Sequence, residues 1–260
     1  MTVISMTNVS LRKHGKDLLK NINWQVEKGQ TWAILGLNGS GKTTLLKLIM
    51  AEFFPTSGKI SVLGQSFGKT DITEIRKKIG IVSGFITDRL SLQLRAEQVV
   101  LTGKYKSSIL YKQYGDRELN EARHMLLSLD GGHLIGRRLY ELSQGEKQLV
   151  LIARSLMEEP EILILDEATV GLDLFAREKL LKQIDRITDL PTAPTVLYVT
   201  HHAEEISAKM EHIILLKKGE IVAQGPKKDI ITEKTLADFF DNQVSIIPID
   251  NDRLFIKPEL

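Results

Sequence analysis

Residues 36–43 read Gly36-Leu37-Asn38-Gly39-Ser40-Gly41-Lys42-Thr43, and this stretch decides the fold of the 260-residue chain. It has the pattern G-x-x-x-x-G-K-[ST] and lies between a short apolar segment, residues 31–35, and a Leu- and Ile-rich segment over about residues 43–51. Glycines let the backbone turn so that successive N–H groups converge on phosphate oxygens, and a helix N-terminus adds partial positive charge. The stretch therefore predicts a strand, a phosphate-binding loop and a helix in succession.

Two side chains of this stretch carry the predicted chemistry. Lys42 would bridge the β- and γ-phosphates of a nucleoside triphosphate, and the hydroxyl of Thr43 would hold Mg²⁺. A glycine-rich loop of chance composition is the alternative, but the flanking strand and helix patterns disfavour it. A nucleoside triphosphate and Mg²⁺ are therefore the expected ligands.

A second apolar segment, residues 162–165, ends in two neighbouring carboxylates, Asp166 and Glu167. Ligands of open parallel sheets bind at the carboxyl ends of the strands, so we expect these carboxylates and the phosphate loop to meet there. Asp166 would hold Mg²⁺ through water, and Glu167 would act as general base towards the attacking water. Two solvated acids at a strand end are the alternative, which a phosphate loop in the same chain makes the weaker interpretation.

A histidine follows a third apolar segment. His201 comes directly after residues 195–200 and would lie at the same edge of the sheet, where it could contact a γ-phosphate. A lone histidine is more often structural or solvated, so that alternative stays open, and for His202 it is preferred.

Composition excludes several kinds of protein. The chain has no cysteine, which excludes disulfides, thiolate metal sites and cysteine nucleophiles. Its 35 basic and 33 acidic residues give a formal net charge of +2, so no overall field attracts nucleic acid. We see no signal peptide, and no apolar run approaches the roughly 20 residues of a membrane span. If the protein serves a membrane, another chain must span it.

Apolar segments alternate with helical patterns, which indicates an α/β fold with a mostly parallel sheet covered on both faces. Residues 1–84 are predicted to contain antiparallel strands and the phosphate-loop part of the core, and residues 85–157 a mainly helical insertion. Residues 158–240 would complete the core, and residues 241–260 would form a tail without a functional signal. All four parts would belong to one domain.

A further motif names a family. Residues 142–146 read Leu142-Ser143-Gln144-Gly145-Glu146, in which Ser143 and Glu146 form an S-x-x-E capping box that starts a helix through residues 147–156. By itself this predicts only a well-capped helix. Together with the other motifs, in this order, the chain resembles the ABC (ATP-binding cassette) ATPases from about residue 3 to residue 235.

This resemblance implies a P-loop NTPase fold of the RecA-like type, with ATP and Mg²⁺ as ligands. Residues 162–166 resemble Walker B, Glu167 the catalytic glutamate, and His201 the switch histidine. Residues 170–173 resemble the D-loop, which adds Asp173 to the site. Residues 36–44 resemble Walker A, and residues 142–146 resemble the family signature. The residues implied to bind ATP through these two motifs are Gly36, Leu37, Asn38, Gly39, Ser40, Gly41, Lys42, Thr43, Thr44, Ser143, Gln144, Gly145 and Glu146.

The resemblance also implies a partner. In this family two cassettes pair head to tail and enclose two ATP molecules, each between the Walker A motif of one copy and the signature motif of the other. Ser143 and the N-terminus of its helix present donors suited to a γ-phosphate. A twofold homodimer stabilised by ATP is therefore expected.

The sequence departs from the family pattern at two positions. Lys13 stands where an aromatic residue usually stacks on adenine; the adjacent His14 is a substitute, and the alternative is loosened base selectivity. Ser83 stands where the family has a glutamine that contacts Mg²⁺ and couples the site to the helical part. Serine is too short for that span without a bridging water. A similar serine occurs in a branch related to molybdenum-linked ATP-binding proteins.

The expected function is an ATP-hydrolysing subunit of an ABC transporter that drives a separate transmembrane permease. Such a subunit would be cytoplasmic and peripheral on the inner face of the cell membrane. Ser83 keeps open an alternative, a soluble non-transport ABC ATPase that acts as a mechanical switch on a protein or nucleic-acid complex. A nucleotide-dependent scaffold with little turnover is disfavoured because Glu167 and His201 are both present.

Overall fold

The computed structural model describes residues 1–68, 72–83, 90–105, 107, 114–249 and 253–259. The chain divides into two compact units. The first unit contains Met1–Lys77 and Thr195–Leu260, and the second unit contains Lys78–Pro194.

The regular elements are numbered in chain order. The strands are β1 (Thr2–Lys13), β2 (Lys16–Glu27), β3 (Thr31–Leu35), β4 (Ser57–Val62), β5 (Gln65–Ser66), β6 (Ile79–Val82), β7 (Ile162–Asp166), β8 (Thr195–Thr200), β9 (His212–Lys217), β10 (Glu220–Pro226), β11 (Val244–Pro248) and β12 (Leu254–Pro258). The helices are α1 (Lys42–Ile49), α2 (Ile72–Arg76), α3 (Ala96–Lys104), α4 (Asp116–Ser128), α5 (Gln144–Leu156), α6 (Leu174–Asp185), α7 (Lys227–Ile230) and α8 (Glu233–Phe240).

The first unit contains an antiparallel sheet in the order β2-β1-β4-β5. Strand β2 alternates buried and exposed side chains from Ile22 to Val26, so one face packs on the core and the other faces water. The predicted N-terminal antiparallel region is therefore confirmed.

The same unit contains the phosphate-loop part of the parallel sheet. Strand β3 pairs in parallel with β8 on one side and with β9 on the other, and β10 pairs antiparallel with β9. Every residue of β3 and of β8 is buried, because this part of the sheet is covered on both faces. Leu35 pairs with Thr200, so the loop after β3 and the histidine after β8 start at one edge.

The second unit combines two parallel strands with helices. Strands β6 and β7 pair in parallel, with Val82 opposite Leu165. Helix α5 packs against α3 and β6 through an apolar face that includes Leu149 and Ile152. The domain bounds predicted at residues 84, 157 and 240 stay a prediction.

Two further elements flank the predicted site and the end of the chain. Helix α6 begins at Leu174, because Asp173 caps its N-terminus, and residues Arg186–Asp189 continue as a 3₁₀ turn. The tail predicted to lack a signal contains a hairpin of β11 and β12. Within the described residues, no helix is both long and apolar enough to cross a membrane.

Candidate nucleotide-binding site

The loop between β3 and α1 has the backbone that its glycines predict. Gly41 has φ 110°, a left-handed conformation that side chains disfavour. A Cβ atom at Gly36 would lie 2.4 Å from Ser40 Oγ and 2.8 Å from the carbonyl oxygen of Leu216, so a side chain cannot fit there. The loop therefore curls tightly, as a phosphate cradle requires.

Lys42 and Ser40 give this cradle its chemistry. Lys42 is only 7% exposed, and its Nζ donates a hydrogen bond to the carbonyl oxygen of Gly36 at 2.7 Å. Ser40 Oγ is buried and has no hydrogen-bond partner within the described residues. A buried ammonium and an unsatisfied hydroxyl in one loop, at the N-terminus of α1, fit the oxygens of a polyphosphate.

The predicted switch histidine starts beside this loop. The backbone N–H of Gly36 donates to the carbonyl oxygen of Thr200 at 3.3 Å. The first residue of the loop therefore bonds to the residue that directly precedes His201. The ring of His201 contacts the ring of His202, with centroids 4.0 Å apart. The structure thus brings His201 and residues 36–42 to one edge of the first unit.

The two carboxylates lie at an edge of the second unit. Strand β7 ends at Asp166, and Glu167 follows with φ 51°, a left-handed backbone that costs a non-glycine residue about 1–3 kcal/mol. Because Val82 pairs with Leu165, Ser83 and Asp166 leave neighbouring strands at the same edge. Glu167 therefore follows directly on the edge that Ser83 and Asp166 share, which is where its predicted role as general base requires it.

The oxygen groups present fit Mg²⁺ in character. Within the described ranges no cluster of three or more His, Cys, Asp or Glu side chains is suited to a metal ion. Mg²⁺ in nucleotide sites needs fewer protein ligands, since it keeps waters and binds phosphate oxygens together with one or two carboxylates. The Thr43 hydroxyl and the Asp166 carboxylate are hard oxygen ligands of that kind.

The signature residues form the predicted capping box. The backbone N–H of Ser143 donates to Glu146 Oε2 at 2.8 Å, and the backbone N–H of Glu146 donates to Ser143 Oγ at 3.3 Å. Glu146 Oε1 also accepts a hydrogen bond from Arg137 Nη1 at 2.8 Å. Partial burial raises the pKa of Glu146, but the bonds from the Ser143 N–H and Arg137 outweigh it and lower that pKa below its usual value.

The turn that carries Asp173 exposes apolar side chains. Asp173 Oδ1 accepts from the backbone N–H of Ala176 at 2.9 Å and caps α6. Around it, Val170, Leu174 and Phe175 are 54%, 58% and 83% exposed. These three apolar side chains are therefore available for contact with another molecule.

The departure at Lys13 has a contact that the sequence did not reveal. Lys13 Nζ lies 4.2 Å from the ring centroid of Phe53, and Lys47 Nζ lies 5.3 Å from the same ring. His14, next to Lys13, has φ 49° at the turn between β1 and β2 and is exposed. Phe53 is 40 positions from Lys13, so no local pattern pointed to it.

The predicted site residues fall into two groups. The first unit contains Lys13, His14, residues 36–44 and His201, and the second unit contains Ser83, residues 143–146, Asp166, Glu167 and Asp173. Within the first unit the phosphate loop and His201 start at one edge, and within the second unit Ser83 and Asp166 leave neighbouring strands at one edge.

The comparison with known sequences agrees with this geometry. The sequence profile of the family described as ABC transporter matches residues 19–170. A putative ABC transporter ATP-binding protein of Streptococcus mutans is 65% identical over 260 residues, which is 100% of both chains. A zinc uptake system ATP-binding protein of Listeria monocytogenes is 33% identical and covers 83% of this chain and 83% of its own length.

Solved structures show the same fold. The cbiO1 protein of Clostridium perfringens, part of an ABC transporter complex, is 26% identical with a TM-score of 0.79, covering 91% of this chain and 93% of its own. A dimeric ATP-binding cassette bound to ADP and phosphate is 28% identical with a TM-score of 0.68, covering 86% of this chain and 98% of its own.

A phosphate loop on a mostly parallel sheet, followed by a capped signature helix and a strand ending in Asp-Glu, defines a nucleotide-hydrolysing P-loop protein. The chain belongs to the ABC transporter ATP-binding family. The predicted fold class and the predicted ATPase activity are thereby confirmed.

Proposed function

We propose that two copies of this chain pair head to tail around ATP and Mg²⁺ and drive a separate membrane permease. The observation that carries the proposal is the exposed N-terminus of α5 at Ser143, whose donors are suited to a phosphate held by a second copy. A solved ATP-binding cassette that is 28% identical to this chain is a dimer bound to ADP and phosphate. A twofold pairing would place the N-terminus of α5 opposite the phosphate loop of the facing copy.

The residues of the phosphate loop bind the substrate. The Lys42 ammonium neutralises charge on the β- and γ-phosphates, and loop N–H groups with the Ser40 hydroxyl donate to phosphate oxygens. Mg²⁺ would be held by Thr43 and, through water, by Asp166. When bound, Mg²⁺ would neutralise negative charge on the phosphate oxygens.

Hydrolysis then needs an activated water. Glu167 accepts a proton as the water oxygen bonds to the γ-phosphorus, and the bond from that phosphorus to the bridging oxygen breaks to release ADP and phosphate. His201 would donate to the γ-phosphate and hold it in line.

The signature helix supports the facing half of the site. Helix α5 has 13 residues, and the first-turn N–H groups of any helix lack partners within the helix. The capping box uses the N–H of Glu146, but Ser143 and Gln144 are exposed, so the Ser143 hydroxyl and the N–H groups of Gln144 and Gly145 can donate to a phosphate of a facing copy. The exposed side chains of Val170, Leu174 and Phe175 supply apolar area for the same contact.

The permease is inferred from relatives. One relative is named for zinc uptake, and a structural neighbour at 25% identity and TM-score 0.76 is an inward-facing putative metal-chelate type ABC transporter. Both names describe transport, which favours the permease-driving function over a soluble switch. A subunit of that kind would lie on the cytoplasmic face of the membrane.

Glu167→Gln tests the dimer. This change removes the general base but keeps the size of the side chain, so ATP should bind, hydrolysis should stall, and a dimer should accumulate. Size-exclusion chromatography with light scattering in MgATP measures the mass. Glu161→Gln is the matched control, because Glu161 forms a surface ion pair with Lys78 at 2.7 Å. A Glu167→Gln protein that stays monomeric at saturating MgATP would contradict the head-to-tail site.

Purification from membranes tests the permease. The tagged chain, expressed in its own cells and extracted in mild detergent, should carry a polytopic membrane protein in stoichiometric amount. Recovery of all the chain from the soluble fraction, with no membrane protein attached, would support the soluble-switch alternative instead.

A further inference from the structure

The C-terminal hairpin packs on the segment that follows the switch histidine. Strand β12 contacts the 3₁₀ turn Ala203–Glu205, which begins two residues after His201. From the sequence, residues 241–260 carried no functional signal. Their position against this turn suggests a task connected with His201.

Arg253, just before β12, makes the polar part of this contact. Its Nε and Nη2 both donate to the carbonyl oxygen of Glu204, at 2.9 and 2.5 Å. Arg253 is half-buried, and a planar guanidinium that donates twice to one oxygen fixes direction as well as distance. The hairpin thus restrains the backbone of the turn at Glu204 through hydrogen bonds from Arg253.

Glu205 fastens the same turn from the other side. It is 2% exposed, and its Oε2 accepts hydrogen bonds from the Tyr198 hydroxyl at 3.0 Å and the Thr200 hydroxyl at 2.5 Å. Thr200 Oγ1 in turn accepts the backbone N–H of His202 at 3.0 Å. A buried carboxylate is costly to desolvate, so these donors tie the turn firmly to the end of β8.

His201 lies within this fastened segment. On its N-terminal side the Thr200 side chain donates to Glu205 Oε2, and on its C-terminal side the backbone carbonyl oxygen of Glu204 accepts from Arg253. Only His201, His202 and Ala203 lie between these points. Restricting so short a segment limits the directions that the His201 side chain can take, and positioning of a catalytic group affects rate strongly.

We infer that Arg253 and Glu205 are positioning residues for His201, so that the C-terminal hairpin sets the rate of ATP hydrolysis. The inference rests on the proposed role of His201. Since neither residue is part of the phosphate loop, their loss acts on the chemical step and leaves ATP binding unchanged.

Arg253→Ala is the primary test, because Arg253 is half-buried and its loss leaves the core intact. We expect kcat for ATP to fall between about threefold and tenfold, below the roughly hundredfold that a 1 Å misplacement can cost, with KM unchanged. Arg253→Lys should recover part of the rate, since lysine donates but lacks the fork. The matched control is Lys257→Ala, which removes a cation from the exposed side of the same hairpin and should leave kcat unchanged.

A second pair of proteins separates two kinds of failure. Arg253→Ala should add no further loss in a His201→Ala background, because its effect acts through that histidine. An equal loss in that background, or a wild-type kcat for Arg253→Ala beside a slow His201→Ala, overturns the inference alone. A wild-type kcat for His201→Ala overturns the proposed role of the histidine, and the inference with it.

Discussion

At the scale of single residues, Lys42 is a buried cation whose ammonium donates a hydrogen bond to the carbonyl oxygen of Gly36 in the same loop. Lys42→Ala removes a charge-assisted contact to phosphate worth about 1.5–3 kcal/mol, so Kd for ATP should rise roughly 10- to 150-fold. Titration with a fluorescent ATP analogue measures this. Lys47→Ala is the control, since Lys47 is on the same helix as Lys42 and its ammonium lies near the ring of Phe53 instead of a loop carbonyl oxygen. Equal losses for both variants would contradict a specific role for Lys42.

Lys13 offers a second residue-scale prediction, about the base. Its ammonium is engaged with the ring of Phe53, so no flat aromatic face is supplied at position 13. Lys13→Tyr should supply one and lower Kd for ATP, because base–aromatic stacking contributes about 1–3 kcal/mol. Lys59→Tyr, exposed on β4 of the same sheet, controls for the added ring. An unchanged Kd for Lys13→Tyr would show that the base does not reach this turn.

At the scale of elements, the capping box of α5 makes stability depend on pH. The folded-state pKa of Glu146 is lowered, so its ionised form stabilises the fold above the unfolded pKa, and this is lost as pH falls through the folded pKa. Glu146→Gln can keep the bond to the Ser143 N–H but loses the ion pair with Arg137. It should cost up to about 1 kcal/mol at pH 7, since Arg137 is partly exposed.

Urea denaturation at several pH values measures this difference. The difference in the free energy of unfolding between the wild-type protein and Glu146→Gln should disappear as pH falls below about 4, the ordinary range of a glutamate pKa. Glu141→Gln, in the turn before the signature motif, provides a comparison carboxylate that bonds the Arg138 N–H. A gap between wild type and Glu146→Gln that is constant with pH would exclude the carboxylate charge as its cause.

These elements also show how far sequence could predict the molecule. The phosphate loop and the capping box of Ser143 and Glu146 were predictable because their contacts lie within a few residues of each other. The contacts of Lys13 with Phe53 and of Arg253 with Glu204 join distant parts of the chain, and only the folded structure brings them together. The left-handed backbone of Glu167 is likewise set by its surroundings, because glutamate has no local preference for it.

At the scale of the whole molecule, a mixing experiment distinguishes a site shared between copies from a site built within one. Lys42→Ala disables the phosphate loop and Ser143→Arg blocks the signature helix, so each variant alone should lack ATPase activity. In a head-to-tail heterodimer of the two, both defects fall in one site and leave the other site intact. Mixing should therefore restore activity, to about one quarter of wild type if pairing is random and sites act independently.

The control mixes Lys42→Ala with Glu167→Gln, whose defects both lie on the Walker side. In that heterodimer each site keeps one defect, because the two residues serve the ATP bound by their own copy, and activity should not return. Rescue in the first mixture but not in the second assigns the signature motif to the facing copy. If the activity of the first mixture never exceeds the sum of the activities of the separate variants, each chain builds its own site. The ATPase rate per chain of the wild-type protein should then be independent of protein concentration.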